Sequence, residues 1–220
     1  MNILHTTGVV LLASGNSTRF GNKNKLLQKI DGIPLFCHNI IEFSQKIPPE
    51  RLILVVPPNA KTLFEEILVK QELENTVKIV FGGEKRQDSA LSGLKALPKN
   101  TKIVALQDSA RPFVSIKLLA ECAESANHRG TGIAAHPIVD TIKIATSDMK
   151  IQKTLDRDFL WAVETPQAFM RTEIISAYEY VNKKKIDVTD DATAMEYAGK
   201  NVFLVKNTEK NDKITYLKDL

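Results

Sequence analysis

The stretch Gly8-Val9-Val10-Leu11-Leu12-Ala13-Ser14-Gly15-Asn16-Ser17-Thr18-Arg19-Phe20-Gly21-Asn22-Lys23-Asn24-Lys25 begins as an apolar run and turns at once into a polar, glycine-bearing loop. The run from Gly8 to Ala13 is β-branched and short, which predicts a buried strand. It is far below the ~20 residues of a membrane span. Further runs follow at Leu52–Val56, Val77–Phe81, Ile103–Leu106, Gly132–Ala135 and Val202–Val205. Between them, helical spacing links Leu35, Phe36, Ile40 and Phe43; then Leu63, Phe64, Ile67 and Leu68; then Ala90, Leu91, Leu94 and Leu97. Two more faces follow, Ile116, Leu119, Ala120 and Ala123, and Ile174, Ile175, Tyr178 and Val181. Strands alternating with helices in this way predict an α/β, Rossmann-like fold, a mainly parallel sheet with helices on both faces. Residues 137–170 break the rhythm. Asp140–Ala145 alternates like a strand, a turn is expected at Ser147-Asp148, and another extended stretch follows. The expectation is one domain over residues 1–220 with a projecting β-arm inserted at about 137–160.

Composition bounds the function. The chain has 220 residues, 43% hydrophobic and 25% charged, enough for one sizeable core. Its 30 basic and 26 acidic side chains leave a charge of only +4. The arginines are scattered, and Lys183-Lys184-Lys185, the single basic block, reads as a solvated loop. No zinc-finger, basic-zipper or RNP pattern accompanies it, so no nucleic-acid partner is expected. No signal-peptide pattern and no membrane partner are expected either. The two cysteines, Cys37 and Cys122, fall in helical segments, which suits a reducing, cytoplasmic setting. Four arginines (Arg19, Arg86, Arg111, Arg157) sit in loops after strands or in the arm, where an α/β sheet binds ligands. That placement points to a small anionic ligand such as a phosphate compound.

The loop after the first strand is neither a P-loop nor a dinucleotide fingerprint. Five residues separate Gly15 from Gly21 with no Lys-Ser/Thr after them, and Ser17 and Phe20 stand where a fingerprint needs glycine. Small residues at 13–15 still let backbone N–H groups approach a phosphate or base. Arg19 and Lys25 add fixed positive charge, an arrangement suited to attack at one phosphorus of a triphosphate.

This loop resembles the A-A-G-x-G-x-R-M…P-K signature of sugar-phosphate nucleotidyltransferases. Five further motifs narrow the likeness: Gly82-Gly83-Glu84-Lys85-Arg86-Gln87-Asp88-Ser89, Asp108-Ser109-Ala110-Arg111-Pro112, Asp140-Thr141-Ile142-Lys143, Thr165-Pro166-Gln167 and Thr189-Asp190-Asp191. With Asn211-Asp212-Lys213-Ile214-Thr215 near the end, the chain is similar over nearly its whole length to the 2-C-methyl-D-erythritol 4-phosphate cytidylyltransferase family. It departs from the signature at Ser14 (usually Ala), Ser17 (usually Gly), Phe20 (usually Met) and Asn24-Lys25-Leu26 (usually Pro-Lys-Gln). These departures bear on loop rigidity and triphosphate affinity.

The resemblance implies transfer of a cytidylyl group from CTP to a polyol phosphate, with Mg²⁺ as cofactor and a homodimer formed through the arm. It gives Arg19, Lys25 and Lys213 the catalytic work of neutralising charge at the α-phosphorus and on departing pyrophosphate. Ala13, Ser14, Gly15, Gly83, Glu84 and Ser89 would hold the nucleotide, with Asp108 as nucleotide and metal ligand. Ser109, Arg111, Thr141, Arg157, Thr165 and Thr189 would meet the phosphorylated acceptor, Arg157 reaching across to the partner's site. Plainer roles stand beside these. Arg19 and Lys25 can be solvated loop cations, and Asp108 a turn residue or a partner of Arg111. Asp88-Ser89 and Thr189 can be helix caps, and Arg157 an arm-surface residue. His5, His38, His128 and His136 have no metal-ligand spacing. Two other functions compete: a ribitol-5-phosphate cytidylyltransferase, and a catalytically silent nucleotide-binding regulator.

Overall fold

The computed structural model describes residues 3–15 and 24–220. The first-loop residues Ser17, Arg19 and Phe20 therefore lie outside the described part. Strands β1 (Thr7–Leu12), β2 (Lys29–Ile30) and β3 (Ile33–Pro34) lead into helix α1 (Leu35–Ser44), followed by β4 (Leu52–Val56) and α2 (Lys61–Lys70). Next come β5 (Lys78–Phe81), α3 (Arg86–Ala96), β6 (Ile103–Asp108), α4 (Ile116–Arg129) and β7 (Thr131–Pro137). The arm strands β8 (Lys143–Ala145) and β9 (Ile151–Thr154) precede β10 (Trp161–Met170), α5 (Arg171–Lys184), α6 (Asp191–Tyr197) and β11 (Leu204–Lys206).

Seven strands form one sheet in the order β11-β7-β10-β6-β1-β4-β5. Every neighbouring pair is parallel except those of β10, which runs antiparallel to both β6 and β7. Successive side chains of a strand point to opposite faces, and the core divides accordingly. Val9, Leu11, Leu52, Leu54 and Val56 pack with Phe36, Ile40, Phe64 and Leu119 from α1, α2 and α4. On the other face, Val10, Ile53, Val55 and Leu106 pack with Leu94, Tyr178, Val181 and Met195 from α3, α5 and α6. Gly93 lets α3 lie close: a Cβ there would come within 2.3 Å of Val10 and 2.8 Å of Val55. Both cysteines are buried free thiols, and burial pushes the Cys37 thiol up to about 12.

The hairpin lies within residues 137–160, with β8 and β9 antiparallel around a turn at Thr146–Lys150. Residues 161–170, for which no strand of the main sheet was expected, depart from the sequence reading. This stretch is β10, inserted in the middle of the main sheet. Its pairing shifts register between Val163 and Gln167, around Pro166. A proline has no N–H for a ladder and enters a central strand only at such an irregularity.

Candidate active site

The loops singled out from sequence leave one edge of the sheet side by side. Single hydrogen bonds extend the ladders past the strand ends: Ala13 N–H to Val55 O (2.8 Å), Gly82 N–H to Val56 O (2.8 Å) and Ser109 N–H to Leu12 O (3.2 Å). Residues 13–15, 82–89 and 108–111 thus converge beyond the carboxyl ends of β1, β5 and β6, where open α/β sheets bind ligands.

At one corner the exposed backbone of Gly83 and Glu84 turns into α3. Asp88 accepts the Lys85 N–H at 3.2 Å, so the capping carboxylate is Asp88 rather than the Ser89 hydroxyl. Ser89 is 1% exposed and does something else. Its oxygen accepts from Gly83 N–H (3.1 Å) and from the Ser14 hydroxyl (2.8 Å), and its own proton goes to Lys85 O (3.2 Å).

At the centre stands Asp108, the last residue of β6. Its carboxylate meets Lys213 Nζ at 2.5 Å and Arg86 Nη2 at 3.4 Å, while its N–H donates to Thr165 Oγ1 at 3.1 Å. Burial alone would raise this carboxyl, but the Arg86 and Lys213 cations outweigh it and hold Asp108 well below the usual carboxylate range. Arg86, which the sequence placed among the cations facing an anion, is used inside the rim. Its guanidinium grips Asp191 with two bonds (2.7 and 2.9 Å), and the Tyr178 hydroxyl donates to that same buried carboxylate.

Lys213 reaches Asp108 because the C-terminal segment is strapped down. Buried Glu164 accepts from Asn207 (2.8 Å), Asn211 (3.0 Å) and, through Oε1, His136 Nδ1 at 2.9 Å. Arg111 donates to Asn211 O (2.7 Å) and lies 3.7 Å from Glu164, so its guanidinium anchors the strap; the carboxylate partners of Asp108 are Arg86 and Lys213. Ile214 N–H bonds Ala110 O, and Lys25 Nζ donates to Ile214 O at 3.0 Å, drawing the first loop and the strap together. Ser109 is fully buried beneath them.

Ala13, Ser14, Lys25, Gly83, Ser89, Asp108, Ser109, Arg111, Thr165 and Lys213 are therefore joined through the rim. Thr141 and Arg157 stand exposed on the arm, where Arg157 donates to Val139 O at 2.8 Å. Thr189 is exposed beside α6, whose cap is Asp190: that carboxylate accepts the Thr193 N–H at 2.9 Å. Sequence reasoning assigned no site role to Glu164 or Asn207, none to Tyr178 beyond a place on an apolar helical face, and none to Asp191 beyond its motif. No local pattern marks them, because their partners come from distant segments.

A divalent cation finds one carboxylate here. Among the described residues no group of three or more His, Cys, Asp or Glu could hold a metal ion. Mg²⁺ commonly takes one or two carboxylates and completes its shell with water and substrate phosphates. Ionised Asp108 fits such a nucleotide-borne ion as a single hard oxygen ligand.

Glycine-bearing loops, two lysines and an ionised carboxylate at the carboxyl ends of parallel strands define the class: an α/β nucleotide- and phosphate-handling protein. The family model for 2-C-methyl-D-erythritol 4-phosphate cytidylyltransferase matches residues 7–220. The enzyme of that name from Clostridioides difficile is 34% identical over 213 residues, 96% of this chain and 90% of the relative. Its counterpart from Dictyoglomus thermophilum is 37% identical over 216 residues, 96% and 92% of the two chains. The solved 4-diphosphocytidyl-2C-methyl-D-erythritol synthase of Anaerococcus prevotii matches with a TM-score of 0.81 at 26% identity, covering 97% of this chain and 94% of that one. The chain belongs to the 2-C-methyl-D-erythritol 4-phosphate cytidylyltransferase family.

Proposed function

We propose that this chain transfers the cytidylyl group of CTP to 2-C-methyl-D-erythritol 4-phosphate in non-mevalonate isoprenoid biosynthesis. A phosphate oxygen of the acceptor bonds to the α-phosphorus of CTP, the bond from that phosphorus to the bridging oxygen breaks, and pyrophosphate leaves with the electron pair. The attacking phosphate is already ionised near neutral pH, so no general base is needed, and alignment with charge neutralisation carries the catalysis. Lys25 and Lys213, with Arg19, neutralise charge at the α-phosphorus and on the leaving pyrophosphate. Asp108 would hold Mg²⁺, which when bound offsets phosphate charge as a Lewis acid. Ala13, Ser14, Gly15, Gly83, Glu84 and Ser89 surround the base. Ser109, Arg111, Thr141, Arg157, Thr165 and Thr189 serve the acceptor, some by direct contact and Arg111 by fixing the strap.

The observation that carries this reading is the 2.5 Å contact between Lys213 and Asp108, from segments 105 residues apart, at the mouth of the glycine-bearing loops. It argues against a catalytically silent binding protein, because a buried-edge carboxylate and a lysine are held where charge must be neutralised. Exposed Val139, Met149, Ile151 and Phe159 on the arm support a homodimer in which arms are exchanged, with Arg157 serving the partner's site. The cytoplasm is the setting for this chemistry.

Purified protein with CTP, Mg²⁺ and either methylerythritol phosphate or ribitol phosphate tests the proposal. Pyrophosphate release with the former is expected. Release with ribitol phosphate alone selects the ribitol enzyme, and CTP binding without turnover of either overturns both.

A further inference from the structure

The hydroxyl pair formed by Ser14 and Ser89 has a fixed polarity. Lys85 O can only accept and Gly83 N–H can only donate, and both bond Ser89 Oγ, at 3.2 and 3.1 Å. The single proton of Ser89 is therefore directed at Lys85, and its lone pairs receive Gly83 N–H and the Ser14 hydroxyl at 2.8 Å. Ser14 must donate inward, which leaves its oxygen with acceptor lone pairs only. Access differs in the same sense. Ser89 is 1% exposed with its bonding capacity filled, whereas Ser14 is half-buried at the loop mouth next to exposed Gly15. Gly82 closes the pair from behind. A Cβ there would lie 2.7 Å from both Ser14 Cβ and Ser89 Oγ, and 3.0 Å from Ser14 Oγ. The signature described above carries alanine at position 14, which has no hydroxyl to offer.

We propose that Ser14 is a base-selecting residue. Its oxygen, held as an acceptor by the Ser14–Ser89–Lys85 relay, takes a hydrogen bond from the exocyclic amino group of cytosine. The same lone pairs face, and disfavour, the carbonyl oxygen that uracil carries at that position. The inference rests on the reading of this corner as the pyrimidine pocket of a CTP-using enzyme.

The test is a cycle between the base amino group and the Ser14 hydroxyl. kcat/KM is measured for CTP, UTP and pyrimidin-2-one riboside triphosphate, which lacks the amino group, in the wild type and in Ser14→Ala. Ser14→Ala should lower kcat/KM for CTP by roughly three- to tenfold, the worth of one neutral hydrogen bond, and leave the deamino analogue unchanged. Equal losses for CTP and the analogue, or no loss for either, would overturn the assignment. Ser89→Ala releases the Ser14 proton, so the relative use of UTP should rise; an unchanged CTP/UTP ratio would overturn the relay. If the wild type binds CTP without turnover, the proposed function fails while the same cycle, read from Kd, still decides the role of Ser14. Absence of pyrimidine triphosphate binding in the wild type would sink both.

Discussion

The rim at the carboxyl ends of β1, β5 and β6 and the arm around β8 and β9 solve opposite problems. In the rim, charged groups are drawn under cover and joined across long stretches of chain. Arg86 pairs with Asp191 over 105 positions, and Glu164 receives Asn207 and Asn211. In the arm, bonds stay local while apolar side chains face outward, with Met149 83% and Phe159 82% exposed. Charges drawn under cover have to find partners within the fold, because an unpaired buried charge is costly. A surface built on exposed apolar groups gains when a second molecule covers it. Under the proposed function the rim would supply chemistry, and the arm association.

Substitutions should separate the two regions. The largest expected effect on stability is on the rim's buried pair. Asp191→Ala leaves the Arg86 guanidinium with Asp108 alone and the buried Tyr178 hydroxyl without its acceptor, and should cost about 2–3 kcal/mol in urea unfolding. A loss below about 1 kcal/mol would mean that the pair contributes little. Next is Lys213→Ala, which should lower turnover by about 10²–10³-fold. Lys213 is 38% exposed and Arg86 still pairs with Asp108, so the thermal midpoint should fall only modestly, and an unchanged rate would remove Lys213 from the chemistry. On the arm, Met149→Ser with Phe159→Ser should weaken self-association in sedimentation while altering the stability of the isolated subunit by only about 0.5 kcal/mol. A larger loss of subunit stability would place those side chains in the fold's own packing.

The smallest effect concerns pH. The folded-state value of Asp108 is depressed, so its stabilising contribution is complete above the unfolded carboxyl value of about 3.9 and fades only as pH falls toward the lower folded one. Its carboxyl carbon resonance should therefore stay flat from pH 7 to pH 4. A titration step inside that interval would contradict the Arg86 and Lys213 pairing.

The two regions also differed in how openly the sequence declared them. β4 was legible from Leu52 to Val56 because a strand buried on both faces is uninterrupted apolar chain. The arm hairpin was legible as alternation broken by a turn. β10 was hidden because Pro166 reads as a strand breaker when the register shift that accommodates it is invisible. In the rim, motifs marked Asp108, Ser89 and Lys213, but not who touches whom. Arg86 looked like a cation awaiting phosphate until Asp191 was found against it, and Ser14 looked like a mere departure until Ser89 lay 2.8 Å away. Pairings between distant segments depend on the closed sheet, and no local pattern encodes them.

Whether the arm completes another subunit's rim can be measured by complementation. Lys213→Ala disables a rim, and Arg157→Ala disables an arm; each homodimer should be nearly inactive. If arms are exchanged, unfolding and refolding the two variants together in equal amounts places one intact rim beside one intact arm in each mixed dimer. Activity should then return to about a quarter of wild type by random pairing of a two-fold dimer. No recovery in the mixture, with each variant folded and dimeric, would show that Arg157 serves its own chain and would contradict the proposed exchange of arms.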